Sequence, residues 1–329
     1  MKTVLNGLTE LESLTASDAR QVLVDLSSGK YNASQMAAFL TVYLMRPITL
    51  DELRGFREAM LDLCVPVQFD QPVMDVCGTG GDGKNTFNIS TLSAFVVAAA
   101  GQPVAKHGNY GVSSPCGSSN VLEYFGYRFT GDADALRYSL DQTNICFIHA
   151  PLFHPAMKSV AQVRRELGVK TFFNMLGPMV NPAFPQKQLI GVFSLELARQ
   201  YAYVYQQTEK QFVVVHSTDG YDEISLTGSF KYFHNSGEGL AIPADLGFPA
   251  VDAPAIAGGE TVEESAAIFL NVLKNQATPQ QQAVVLANAA MALRCANPAL
   301  TMNGAVLLAR ETLESGKAFK TFTRFIELS

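Results

Sequence analysis

Up to about residue 68 the hydrophobic positions recur at helical spacing, with no strand-like alternation between them. Thr15 to Ser17 opens one helix that stops near Gly29. Asn32 with Gln35 forms a capping-box pair for a second, and Thr49 with Glu52 repeats the device for a third that runs to about Cys64, with Pro47 between the last two. On the second helix Met36, Phe39, Leu40 and Tyr43 share one face, which Val42 and Leu44 widen. A face of that breadth implies either a homodimer contact or packing on the larger domain.

From Val65 the pattern changes to short apolar runs alternating with helical periodicity, which predicts a mostly parallel sheet covered on both faces. The runs Val73 to Cys77, Pro103 to Ala105, Ile145 to Ile148, Leu189 to Phe193 and Phe212 to Val215 read as strands, and Phe230 to Phe233 as another. A helix beginning at Ser90 carries the stripe Leu92, Phe95, Val96 and Ala99 and stops at Gly101; a shorter one is closed by Gly126. Val160 to Leu167 reads as helical, and Gly177-Pro178, Asn181-Pro182 and Phe184-Pro185 then break regular structure. Gly237 to Gly259 reads as loop, including a plain turn at Gly258-Gly259-Glu260. Pro279 to Cys295, Asn303 to Ser315 and the C-terminal tail read as helices. The expected organisation is a helical domain over 1–68, joined by parts of the 160–185 crossover, and an α/β domain over 69–329.

Composition narrows the class. With 329 residues and 48% hydrophobic content, the chain has material for one large core and a smaller companion. No long uncharged apolar stretch is present, and the N-terminus MKTVLNGLTELESL is acidic where a signal core would be apolar, so a soluble cytoplasmic protein without membrane contact is expected. Five cysteines without a CxxC pair argue against a disulfide framework or structural zinc; Cys77 and Cys116 lie inside the candidate loops, where a nucleophilic role is the alternative, but no base is paired to them in sequence and they read as packing. A net charge of −6 argues against nucleic acid as the main partner. Lys84, Lys106, Arg164, Arg165 and Lys170 nonetheless supply local positive charge for an anionic small molecule.

The chemistry concentrates in GTGGDGKNTFNIST, Gly78 to Thr91, where a strand empties into a turn with glycines at 78, 80, 81 and 83 ahead of a helix. Exposed N–H groups of such a turn and the positive end of the helix favour a phosphate or diphosphate. A second glycine- and serine-rich loop, Gly111 to Ser119, follows Lys106-His107-Gly108-Asn109. Farther on, Asp222-Glu223 comes after a strand and the turn Ser217 to Gly220, which sets both carboxylates at the C-terminal edge of the sheet, provided the backbone there is looped.

The string GTGGDGKNTFNIST, then KHGN, then SSPCGSS, together with RRELGVKTFFNMLGPMVNP at Arg164 to Pro182, LIGVFS and VVVHSTDGYDEIS, resembles the anthranilate phosphoribosyltransferase family over nearly the whole chain. One departure is plain: Tyr110 stands where that family usually has arginine after His-Gly-Asn. The resemblance implies a fold of the nucleoside phosphorylase/phosphoribosyltransferase class, and transfer of a phosphoribosyl group from 5-phosphoribosyl 1-diphosphate (PRPP) to the amine of anthranilate in tryptophan biosynthesis. It also implies Mg2+; a homodimer is expected separately, from the broad apolar face around Phe39 and Val42. Residue by residue it implies that PRPP is bound by Gly78, Gly81, Asp82, Thr86, Asn88, Ile89, Ser90, Thr91, Lys106, His107, Gly108 and Ser118. Anthranilate falls to Gly78, Asn109 and Arg164, and the metal to Ser90, Asp222 and Glu223. No general base is assigned; Lys106 and the metal hold the transition state. The alternatives are a pyrimidine nucleoside phosphorylase, whose lysine-histidine-serine-threonine-glycine-glycine signature is absent, and a non-catalytic relative that binds nucleic acid or an anion.

Overall fold

The computed structural model describes residues 1–111 and 115–329, and the chain divides into two compact units. The first is assembled from two stretches, Met1–Val67 and Ala150–Phe184. The expected caps form: Thr15 accepts the Asp18 N–H ahead of helix Ala16–Ser27, and reciprocal boxes open Ala33–Met45 and Leu50–Asp62. A further helix, Lys2–Thr9, precedes them. The face made by Met36, Phe39, Leu40 and Tyr43 is buried, but within its own unit: Phe39 and Tyr43 meet Phe56 and Phe172 edge-on, and Phe56 stacks on Phe172 at 4.4 Å. The returning segment thus fills the place left open between a homodimer contact and packing on the larger domain, while Leu44 remains exposed. Glu52, fully buried, ties the bundle together by pairing with Arg46 and accepting from Leu14 N–H, Tyr43 O–H and Thr49 N–H.

The second unit comprises Gln68–His149 and Pro185–Ser329. Its sheet contains β1 (Met74–Gly78), β2 (Val104–Gly108), β3 (Ile145–His149), β4 (Lys187–Gly191), β5 (Gln211–Ser217), β6 (Phe230–His234) and β7 (Gly237–Ala241), in the order β3-β2-β1-β4-β5-β6-β7. The first five strands in that order run parallel, and β6 and β7 are antiparallel additions. Two strand readings change. β2 runs through Lys106, His107 and Gly108, so these residues belong to the sheet and not to the loop beyond it. Gly237–Ala241, read as loop on its two glycines, pairs with β6 along its length and is a strand. Helix Ile89–Ala99 and the long helix Pro279–Ala296 are buried on almost every face and pack on one another beneath the sheet, which explains their lack of a polar side. Helix Val262–Leu273, capped by Thr261, was not apparent in the sequence pattern. Among the described residues no helix is long and apolar enough to cross a membrane.

Candidate functional site

In the second unit the strand order reverses between β1 and β4, the place where an open α/β sheet leaves a crevice at its C-terminal edge. Gly78 and Gly191 are register partners at that edge. A Cβ on Gly78 would fall 2.5 Å from Asp222 Oδ2, and one on Gly191 would fall 1.5 Å from the Asp222 carbonyl oxygen. The two glycines therefore admit the loop that carries Asp222-Glu223 into the switch point. That loop is fixed from two sides: Ser217 Oγ donates to the Glu223 carbonyl at 2.6 Å, and Asn288 of the long helix engages both the N–H and the carbonyl of Ile224, at 3.0 and 2.9 Å. Its irregular backbone lets both carboxylates turn inward, where a regular strand would send them to opposite faces.

Both carboxylates are buried and lie on the glycine turn. Gly80 N–H donates to Asp222 Oδ2 at 2.6 Å, and Ser90 N–H donates to Glu223 Oε1 at 3.1 Å. The start of helix Ile89–Ala99, expected to meet a phosphate, thus already holds a carboxylate. Burial, and then the charge of Asp82, pushes the Asp222 carboxyl up to about 7; burial, and then the charge of Asp222, pushes Glu223 upward as well, opposed by the nearby Lys106 cation. Asp82 Oδ2, Thr79 Oγ1 and Asn88 Oδ1 are buried without a hydrogen-bond partner. Three carboxylates crowd together there with too few donors. The arrangement fits a divalent cation whose remaining oxygens come from water or substrate. Among the described residues no group of three or more His, Cys, Asp or Glu is placed to hold a metal ion by itself.

The other expected residues fall as follows. Lys106 is buried in β2 with Nζ on the Val76 carbonyl at 2.6 Å, and His107 N–H donates to the buried Asp75 at 3.1 Å. Gly108 lies against Ser118 Oγ and Phe147, where a Cβ would collide with both. Ser118 Oγ donates to the Asn109 carbonyl at 3.3 Å. Asn88 Nδ2 donates to the Cys116 carbonyl, joining the two loops; residues 112–114 of the second loop lie outside the described residues. Thr86 bridges to Ala257, and Gly258 N–H donates to the Asn85 carbonyl, so the turn read as plain clips the glycine loop in place. Gly81 has a positive φ within that loop, whereas the side chains of Ile89 and Thr91 are buried, Ile89 in the core. The Cys77 and Cys116 thiols are pushed up by burial, which leaves them protonated and suits packing. Gly191 and Asn288 were missed in sequence, although each carries a signal: a lone glycine in an apolar strand, and a lone amide in the run Ala283 to Ala292.

Arg164 belongs to the first unit, on helix Ala156–Leu167. Its Nε donates to Thr171 Oγ1 at 3.2 Å and its NH2 to Asn174 Oδ1 at 3.3 Å, and the guanidinium lies 5.2 Å from the Phe173 ring centre. No carboxylate among the described residues pairs with it, and burial lowers its pKa. A cation oriented by neutral groups and lacking a counter-charge is suited to an anionic ligand.

Known proteins match this architecture along its length. The family profile described as "Glycosyl transferase family, helical bundle domain" matches residues 2–64, and "Glycosyl transferase family, a/b domain" matches 70–319. The chain is 56% identical, over 100% of its length and 99% of the relative's, to an anthranilate phosphoribosyltransferase of Christiangramia forsetii. The crystal structure of anthranilate phosphoribosyltransferase from Thermus thermophilus is similar at a TM-score of 0.91 and 32% identity, covering 98% of both chains. The Saccharomyces cerevisiae enzyme in complex with PRPP and Mg has the same fold at a TM-score of 0.89 and 24% identity, covering 98% of this chain and 96% of that one. The family that the motifs resemble is thus the family that full-length similarity shows: the chain belongs to the anthranilate phosphoribosyltransferases.

Proposed function

We propose that the chain transfers the phosphoribosyl group of PRPP to the amine of anthranilate, giving N-(5-phosphoribosyl)anthranilate and diphosphate, in tryptophan biosynthesis. The anthranilate nitrogen bonds to C1 of the ribose as the C1–O bond to diphosphate breaks; the diphosphate leaves with the bonding pair, and the amine sheds a proton. Little covalent chemistry is required of the protein, so the work is placement and charge. The glycine turn with Gly78, Gly81, Thr86, Ile89, Ser90 and Thr91 binds the donor, and Asn88 holds it to the second loop, where His107, Gly108 and Ser118 complete the contacts. Lys106, whose ammonium donates to the Val76 carbonyl, supplies the cation for the leaving group. Asp222, Glu223 and the Ser90 hydroxyl are the protein's ligands for Mg2+, with Asp82 facing them; the ion, when bound, neutralises diphosphate charge. Gly78 and Asn109 contact anthranilate, and Arg164 pairs with its carboxylate.

The observation that supports this reading is the crowding of Asp82, Asp222 and Glu223 beside a glycine turn, which would favour a bound cation. A nucleoside phosphorylase, using phosphate and no divalent metal, leaves that cluster unexplained. The yeast relative named as a complex with PRPP and Mg supports the choice of ion. We place the enzyme in the cytoplasm as a homodimer; a monomer mass by light scattering at micromolar concentration would refute the second. The direct test is loss of anthranilate fluorescence on mixing enzyme, Mg2+, anthranilate and PRPP. Cleavage of thymidine by phosphate, or no reaction with anthranilate, would overturn the reading.

A further inference from the structure

We propose that His149 is a positioning residue for the PRPP site: through Ser119 it anchors the Asn109–Ser118 contact, and Tyr110 closes the anchor from outside. The inference rests on the functional reading above. His149 is the last residue of β3 and the register partner of Gly108. Its imidazole is buried, and Nδ1 lies 3.0 Å from Ser119 Oγ, which is itself fully buried. Ser119 N–H donates to the Asn109 carbonyl at 3.1 Å, the same oxygen that receives the Ser118 hydroxyl. One short chain of bonds therefore runs from β3 through Ser119 to two residues assigned to the substrates.

The ring is held as firmly as its nitrogen. Phe129 stacks on it at 4.1 Å with 13° between planes, and Tyr110 meets it edge-on at 5.2 Å. Tyr110 also meets Phe129 edge-on, and its hydroxyl donates to Glu123 at 3.3 Å. The position where the family usually has arginine thus carries an aromatic edge that suits a neutral imidazole. Burial lowers the proton affinity of His149, against the pull of Glu123. A hydroxyl can donate to or accept from the ring nitrogen, so the bond persists in either tautomer.

The full chain is compared with His149→Phe, which keeps a ring in the stack but loses the nitrogen; Ser119→Ala; the double variant; and His149→Asn, whose amide oxygen can stand near the lost Nδ1. His149→Phe and Ser119→Ala should each raise KM for PRPP about 3–10-fold, with a smaller rise in KM for anthranilate through Asn109 and kcat within about twofold. The double variant should be no worse than either single one, because both remove the same bond. His149→Asn should recover most of the affinity, and amide exchange at Ser119 and Asn120 should quicken in the two variants that lose it. Should His149→Phe not fold, Ser119→Ala, which removes a single oxygen, gives the same readout. Wild-type turnover with unchanged KM for PRPP in the variants, additive losses, or a uniform fall of kcat with melting temperature would overturn this proposal and leave the enzyme reading standing. Failure of the wild type to bind PRPP at all would overturn both.

Discussion

Asp222→Asn is expected to make the metal-free protein more stable and the enzyme less active. The folded state lifts this carboxyl from 3.8 to about 7, through burial first and the Asp82 charge second. A raised carboxyl pKa means that the folded chain retains a proton which the unfolded chain has already released. Stability therefore falls as pH rises through that window, and the whole penalty is present above it. Asparagine has the shape of the protonated acid and carries no charge, and its oxygen can still accept the Gly80 N–H. A shift of about 3 pH units at about 1.4 kcal/mol each sets an upper limit of about 4 kcal/mol. Because the proton is shared with neighbouring carboxylates, a gain of about 2–4 kcal/mol at pH 8 is expected, shrinking to about 1–2 kcal/mol at pH 5. Urea unfolding of both proteins in chelator at the two pH values measures it. A gap that is equal at both, or a variant less stable than the wild type, would refute the electrostatic account. Mg2+ with PRPP should stabilise the wild type more than the variant, since the ligands bind the folded state through the group removed.

Gly191→Ala places a methyl group 1.5 Å from the Asp222 carbonyl oxygen, so the carboxylate loop must shift by an ångström or more; kcat/KM should fall at least about 100-fold, with circular dichroism confirming the fold. Arg164→Ala should lose charge-assisted bonds worth roughly 2–3 kcal/mol, seen as about 30–150-fold in kcat/KM for anthranilate with little change in PRPP affinity; equal losses for both substrates would remove its assigned role. Glu52→Ala leaves Arg46 without its partner in the first unit and should lower stability by about 3–5 kcal/mol in urea titration; a change under about 1 kcal/mol would show that the pair is not the tie inferred here.

The features legible in the sequence were those whose causes are local. Asn32 with Gln35 and Thr49 with Glu52 announce helix starts because both partners lie within one turn, and the glycines at 78, 80, 81 and 83 announce a turn for the same reason. Long-range register decided the rest. Nothing near Gly191 in sequence says that Asp222 passes above it, and nothing near His149 says that Ser119 and Tyr110 come to its ring. The strand read as Pro103 to Ala105 continues through Lys106, and the Val76 carbonyl that receives its ammonium is supplied by a neighbouring strand. The helix start at Ser90 reads in sequence as a phosphate site, and the group its N–H meets, the Glu223 carboxyl, comes from far along the chain.

The first unit is written in two places along the gene, and this orders events during synthesis. Phe39 and Phe56 leave the ribosome early, yet Phe172, which covers both, comes about 105 residues after Val67, roughly 5–20 s later at ordinary elongation rates. Through that interval the nascent helices present bare aromatic surface while β1, β2 and β3 are still being made. A permuted gene that joins the segment 150–184 directly to residue 67 should shorten that interval and let the aromatic cluster close before β1 is made.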